Sequence, residues 1–228
     1  MEIKVDNTCF ATENQRDVLL LLSGFNEIRE NFFLTGGTAL SVFYLHHRVS
    51  DDLDLFTVNE IDLSKLDFLL TRNLNERIKK INSTKHYLSL IIDDTKVDFV
   101  IDYVSNKNKR EKYYFNEESF IRIDNMENIS SNKLCVLVSR TEVKDYIDFF
   151  HICKNYDNDK LKIIYEEALK KDAVFEDSPT VAYQIEEGLK YVVNNQDLYP
   201  RLSVSIKQKE FEDFYKKLVD LIFLKDKK

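Results

Sequence analysis

The chain has 228 residues, 43% of them hydrophobic and 32% charged, with a formal net charge of −7. That length supports one or two domains with a real core, and the acidic balance excludes a general polyanion binder. No run approaches the ~18 apolar residues of a membrane span, and the first residues lack the apolar core of a signal peptide. Cys9, Cys135 and Cys153 have no C-x-x-C spacing, which argues for buried thiols in a reducing cytoplasm and against disulfides or zinc.

The first predicted element is a helix over residues 13–30, with Val18, Leu19, Leu21, Leu22 and Phe25 apolar. A short apolar run at 32–35 reads as a strand, and Gly36-Gly37 breaks it. Residues 38–47 return to a buried helical pattern. Leu53, Leu55 and Phe56 form the next strand. The chain has four glycines and two stand together here, so this turn needs positive φ or a close backbone approach. Residues 62–81 read as an amphipathic helix, with Leu63, Leu66, Leu69, Leu70, Leu74 and Ile78 on one side. Strands at 87–92 and 97–104, joined by Asp93-Asp94, read as a hairpin. The basic run at 107–112 (KNKREK) reads as a solvated loop before a short strand at 120–123. Helices follow at about 130–140 with Ser130 or Ser131 as N-cap, at 141–154, and at 161–169. The last two are 178–193, opened by Ser178-Pro179, and 211–223. No repeat or flexible linker separates the two halves.

Two features of the 32–56 stretch carry chemistry. Gly36, Gly37 and Thr38 lie between a strand and a helix start, where free backbone N–H groups make a natural phosphate cradle. Asp52 and Asp54 are i and i+2 on a strand, so both carboxylates share one face. Such a pair repels itself unless a cation lies between, and hard oxygen donors suit Mg²⁺. Asp157 and Asp159 repeat the D-x-D spacing, but in a polar setting (KNYDNDK) that reads as solvated loop. On the later hairpin Asp98 and Asp102 share one face, opposite Val97, Phe99 and Ile101. They are either a further carboxylate for the site or the solvent face of the hairpin. Lys133 and Arg140 are two helical turns apart and share a face. His46 and His47 are adjacent, which is not a metal-pair spacing on a helix, so neither is assigned as a ligand. Arg48 is placed to touch phosphate or to fix the D-x-D loop.

Gly36-Gly37-Thr38-Ala39-Leu40, a helix, then Arg48-x-Ser50-x-Asp52-Leu53-Asp54 resembles the AbiEii-type nucleotidyltransferase toxins of abortive-infection and type IV toxin–antitoxin systems. More broadly it is similar to the DNA polymerase β-like nucleotidyltransferase superfamily. A second stretch, Lys133-Leu134, Arg140 and Lys144-Asp145-Tyr146-Ile147-Asp148, resembles the K-L…R…K-D-x-x-D run of the same toxins.

The resemblance implies an α+β fold: a small nucleotidyltransferase sheet flanked by helices over 1–125, then a helical domain over 126–228 packed on it. It implies transfer of a nucleoside monophosphate from an NTP to an acceptor hydroxyl, with Mg²⁺ (Mn²⁺ possible) as the metal. Asp52, Asp54 and a third carboxylate, Asp98 or its rival Asp102, would hold that metal. Lys133 and Asp145 would join the catalytic set, with Gly36, Gly37, Thr38, Arg48 and Arg140 on the nucleotide. The implied acceptor is RNA, notably a tRNA 3′ end, and the implied partner a cognate antitoxin. The alternatives are a small-molecule (aminoglycoside-like) or protein acceptor on the same fold. A different class is a non-catalytic nucleotide- or partner-binding protein.

Overall fold

A computed structural model describes residues 2–223. The chain divides into two compact units, residues 1–125 and 126–228. The first mixes strands and helices, and the second is helical.

The first unit opens with helices α1 (Glu13–Ser23) and α2 (Asn26–Asn31). They stand where the apolar pattern predicts one helix, because the chain turns at Gly24-Phe25. Thr12 caps α1 by accepting from the Gln15 N–H. Strand β1 (Phe33–Thr35) then runs into α3 (Gly36–Leu40), which continues as a π-helical turn over Ser41–Leu45. Strand β2 (Leu53–Thr57) follows, then α4 (Leu63–Leu74).

The predicted helix over 62–81 ends early. Asn75 takes a left-handed φ of 50°, and residues Ile78–Ser83 form strand β3. Leu74 and Ile78 mimic helical spacing, and the lysines between Ile78 and Ile81 hide the strand. Those lysines suit an exposed sheet edge. Strands β4 (Tyr87–Ile92) and β5 (Thr95–Ile101) make the expected hairpin. Its turn residues Asp93 and Asp94 both have positive φ, as a tight two-residue hairpin turn requires.

Strands β6 (Glu111–Tyr114) and β7 (Phe120–Ile123) complete a seven-stranded sheet among the described residues, in the order β3-β4-β5-β2-β1-β7-β6. Central β2 pairs parallel with β5 and antiparallel with β1. One face carries Leu53, Leu55, Val97, Phe99 and Ile101, all buried. The other face carries the polar residues of the candidate site.

The basic run is not wholly a solvated loop. Arg110 is inside: its Nε donates to buried Asp124 at 2.9 Å, and its guanidinium lies 3.6 Å over the Phe33 ring. Asp124 also accepts from the Thr35 hydroxyl at 2.7 Å. The Tyr44 hydroxyl donates to the Asp124 carbonyl at 2.8 Å. Burial, with the Asp124 and Glu111 charges behind it, pushes the Tyr44 pKa up to about 12, so this donor keeps its proton. Replacing Arg110 with Met removes the cation that faces a buried carboxylate. We expect a loss of about 3–5 kcal/mol in unfolding free energy by urea denaturation.

The second unit contains α5 (Met126–Ser139), α6 (Val143–Cys153), α7 (Asn158–Leu169), α8 (Ser178–Asn194) and α9 (Gln208–Phe223). The expected caps shift. Ser130 and Ser131 lie inside α5 and bond back to the Met126 and Glu127 carbonyls. Asp157 of the second D-x-D caps α7, and Asp177 caps α8. Aromatic packing holds the core: Phe150, Phe211 and Tyr215 stack edge to face, and the Tyr215 hydroxyl donates to the Tyr146 carbonyl at 2.6 Å. Gly188 of α8 lies against the Tyr146 ring, where a Cβ would collide with the hydroxyl. Among the described residues no helix is long and apolar enough to cross a membrane.

Candidate active site

The site grows from sheet register. Asp54 on β2 stands opposite Asp98 on β5 and opposite Thr35 on β1. Ser89 on β4 stands opposite Asp98. Residues paired across neighbouring strands point to one face, so Ser89, Asp98, Asp54 and Thr35 form a polar row across four strands. Adjacent strands lie about 4.8 Å apart, which sets two carboxylates side by side. Asp52, two residues before Asp54, projects to the same face at the strand entrance. Asp98 is held by the Ser89 hydroxyl at 2.6 Å and by Lys96 Nζ at 2.7 Å.

Asp102 has a different use. Its two carboxylate oxygens accept from the Val104 N–H at 3.1 Å and the Ser105 hydroxyl at 2.6 Å, which closes the turn after β5. Of the two candidates, Asp98 is the one beside Asp54.

The paired glycines are explained by what approaches them. Gly36 has a φ of +68°, and a Cβ there would collide with the Asp54 carboxylate. At Gly37 a Cβ would meet the Arg48 guanidinium and lie 2.8 Å from the Ser50 hydroxyl. The glycines therefore let the start of α3 press against the residues on either side of Asp52. Arg48 is buried, with Nη1 donating to the Val49 carbonyl at 2.9 Å. Thr38 is also buried, and its hydroxyl donates to the Asp52 carbonyl instead of facing a phosphate. Gln15 Nε2 from α1 reaches the same carbonyl at 3.3 Å. Thr38 and Gln15 thus position the backbone of the D-x-D strand entrance.

Lys96 was not legible as a site residue from motif alone. On β5 it shares the face of Asp98, and its ammonium is 3.9 Å from Asp52 and 2.7 Å from Asp98. Partial burial works against its charge, but the Asp98 hydrogen bond and the Asp52 and Asp98 charges outweigh this and raise its pKa. Lys96 is the local counter-cation of the carboxylate group. The donors of Asp52, Asp54 and Asp98 are all hard oxygens, and the Cβ-free surface of Gly36 leaves the Asp54 carboxylate its place. Oxygen donors of this kind match the ligand preference of a hard divalent cation such as Mg²⁺.

The second predicted motif also assembles, within the helical unit. Lys133 Nζ lies 2.7 Å from Asp145 and 2.6 Å from Asp148, and Arg140 donates to Asp145 at 2.9 Å. Lys133, Asp145 and Asp148 are buried, while the Arg140 side chain is half-exposed. Two cations thus face two buried carboxylates, Arg140 from the solvent side, and Lys133 is engaged by both acids.

The model of the family described as "Nucleotidyl transferase AbiEii toxin, Type IV TA system" matches residues 20–224. No curated protein matches the chain. Among solved structures it is similar to MenT4, a nucleotidyltransferase toxin from Mycobacterium tuberculosis H37Rv, at 12% identity and a TM-score of 0.58. That alignment covers 91% of this chain and 81% of MenT4. It is also similar to JHP933 from Helicobacter pylori, at 18% identity and a TM-score of 0.54, covering 97% of this chain and 94% of the other. At such identities the structures establish the shared nucleotidyltransferase-like fold. With its family model matched over nearly the whole length, the chain belongs to the AbiEii family of nucleotidyltransferase toxins of type IV toxin–antitoxin systems.

Proposed function

We propose that the chain transfers a nucleoside monophosphate from an NTP to an RNA hydroxyl, a tRNA 3′ end, and that an antitoxin encoded with it restrains this activity. The observation that carries the reading is the placement of Asp54 directly opposite Asp98, with Asp52 at the strand entrance and Gly36 pressed against Asp54. The toxin family supports the choice of acceptor: a toxin built on nucleotidyl transfer needs an essential hydroxyl to cap.

Asp52, Asp54 and Asp98 would hold Mg²⁺ (or Mn²⁺), which when bound neutralises phosphate charge and lowers the acceptor hydroxyl's pKa. The remaining work falls to the chain. The backbone N–H groups of Gly36 and Gly37, at the start of α3, offer a cradle for the triphosphate. Arg48 fixes the loop that aims Asp52, and Thr38 holds its carbonyl. The acceptor oxygen bonds to the α-phosphorus, the bond to the bridging oxygen breaks, and pyrophosphate leaves as the hydroxyl proton passes to solvent. Lys133, Asp145 and Arg140 enter this proposal through the family motif.

The test is transfer of α-phosphate label from each of the four NTPs to total RNA, comparing the wild type with Asp52→Ala. Label on tRNA-sized species, absent in the variant, supports the reading and identifies the nucleotide. Label on a small molecule or a protein and not on RNA would move the acceptor. Absence of Mg–NTP binding would contradict the transferase assignment to this site.

Two further outcomes follow from the charges. Lys96→Met removes the counter-cation of Asp52 and Asp98. Mn²⁺ binding without nucleotide, followed by its electron paramagnetic resonance signal, is expected to tighten by about fivefold, on the scale of a part-exposed ion pair. Lys133→Met leaves Asp145 and Asp148 buried with less compensation. The expected cost is about 3–5 kcal/mol in unfolding free energy. Loss of activity with an unchanged melting curve would instead mark Lys133 as acting on the nucleotide.

A further inference from the structure

The amino-terminal segment lies along the end of the helix that follows Gly36-Gly37. The Lys4 N–H donates to the Phe43 carbonyl and the Asp6 N–H to the Val42 carbonyl, each at 2.9 Å. Farther on, the Ser50 N–H donates to the Cys9 carbonyl at 3.1 Å, and Phe10 pairs with Ser50 in a parallel bridge. This path brings residues 6–9 to His46, which ends the π-helical turn with a left-handed φ of 52°. One ligand atom each from Asp6, Cys9 and His46 lies within 4.8 Å of the other two. Neither the cysteine nor the histidine spacing in the sequence points to this group. Only the fold assembles it.

The donors differ from those of the carboxylate row. A thiol, an imidazole and one carboxylate suit a borderline-soft cation of the zinc class and suit Mg²⁺ poorly. Two of the three side chains are already oriented. Asp6 Oδ1 accepts from the Thr8 N–H at 3.0 Å and from its hydroxyl at 2.7 Å, which fixes the carboxylate and leaves Oδ2 for a ligand. His46 Nδ1 lies 3.1 Å from the Ser41 carbonyl. An imidazole N–H on a backbone carbonyl is the common outer-shell support of a metal-binding histidine, and it leaves the Nε2 lone pair for the metal. Cys9 is buried, while Asp6 and His46 are part-exposed, so a cation would enter from their side.

We propose that Asp6, Cys9 and His46 bind one zinc-class divalent cation, with water in the fourth position. On binding, a metal–sulfur bond replaces the Cys9 S–H bond, and the thiol proton goes to solvent. The cation ties residues 6–9 to the end of the π-turn. Because Cys9 and Phe10 are bonded to Ser50, this tie reaches the loop that enters Asp52.

Co²⁺ added to the full chain, purified free of metal by chelation, is the probe. Thiolate ligation gives a sulfur-to-cobalt charge-transfer band and the intense visible bands of four-coordinate cobalt, neither of which a carboxylate site produces. The expected result is saturation at one equivalent, with the bands chased by Zn²⁺. They are expected to persist in Asp52→Ala and in Cys153→Ser and to vanish in Cys9→Ser. In His46→Ala the affinity falls by at least roughly tenfold, the scale on which even outer-shell partners act. Zn²⁺ raises the melting temperature of the wild type and not of an Asp6→Ala/His46→Ala double variant, which needs no change at buried Cys9. Absence of the charge-transfer band, or its persistence in Cys9→Ser, overturns the proposal. None of these readouts depends on nucleotidyl transfer.

Discussion

Asp54→Asn is expected to lower nucleotidyl transfer by on the order of 10³-fold, the scale lost when a preorganised charge-stabilising group is removed. The amide is isosteric with the carboxylate, so packing beside Gly36 survives. What disappears is one negative charge from the row that would hold the metal. Like charges directly opposite each other in a sheet are destabilising, so removing one of the Asp54–Asp98 pair relieves repulsion. Activity should fall with the loss of that charge. Asp98→Asn is the companion variant. Asp98 is bonded to Ser89 and Lys96, and its loss should reduce both activity and stability. Steady-state kinetics and thermal melts of the two variants, run side by side, check this. An Asp54→Asn enzyme with near wild-type turnover would remove Asp54 from the site.

Gly36→Ala is expected to lower activity by about 10²-fold and stability by about 1–3 kcal/mol. Two costs add. An L-residue held at a φ of +68° is strained by about 1–2 kcal/mol. The new methyl would also collide with the Asp54 carboxylate, which must turn away. A displacement near 1 Å of a positioned group is enough for a loss of about 10²-fold. Gly24→Ala is the control: Gly24 sits at a φ of −72° at the end of α1, where a Cβ would meet only the Leu21 carbonyl at 3.1 Å. That change should leave transfer unaffected. Equal activity in both alanine variants would show that the close approach of Gly36 to Asp54 has no bearing on chemistry.

Much of the site could be read before folding because it is local. Gly36, Gly37, Asp52 and Asp54 lie within one strand–turn–helix–strand unit, where spacing alone decides which residues share a face. The Asp98 placement was half-legible. The period of two put Asp98 and Asp102 on one face, the apolar neighbours Val97 and Phe99 favoured Asp98 over its rival, and the β2–β5 register sets Asp98 opposite Asp54. Ser89 and Lys96 could have been found. A two-residue turn at Asp93-Asp94 fixes Ile92 opposite Thr95, and counting back sets Ser89 opposite Asp98 and Lys96 beside it.

Other parts depend on contacts far apart in sequence. Gln15 reaches the Asp52 carbonyl across 37 residues, and no local pattern marks it. Arg110 looked like one charge in a solvated run, whereas buried Asp124, 14 residues on, draws it inside. Strand β3 was missed because an exposed edge strand with adjacent lysines carries little apolar signal. The π-turn at Ser41–Leu45 was likewise invisible, since its apolar residues fit an ordinary helix.

The most direct test of the account follows both ends of one NTP in a single reaction with total RNA. With label in the α-phosphate, the label should become covalently attached to the acceptor. With label in the γ-phosphate, it should leave as pyrophosphate in equal amount, and both signals should vanish in Asp52→Ala. Transfer of the γ-label to the acceptor, its release as inorganic phosphate, or activity that survives in Asp52→Ala would contradict nucleotidyl transfer at this carboxylate row.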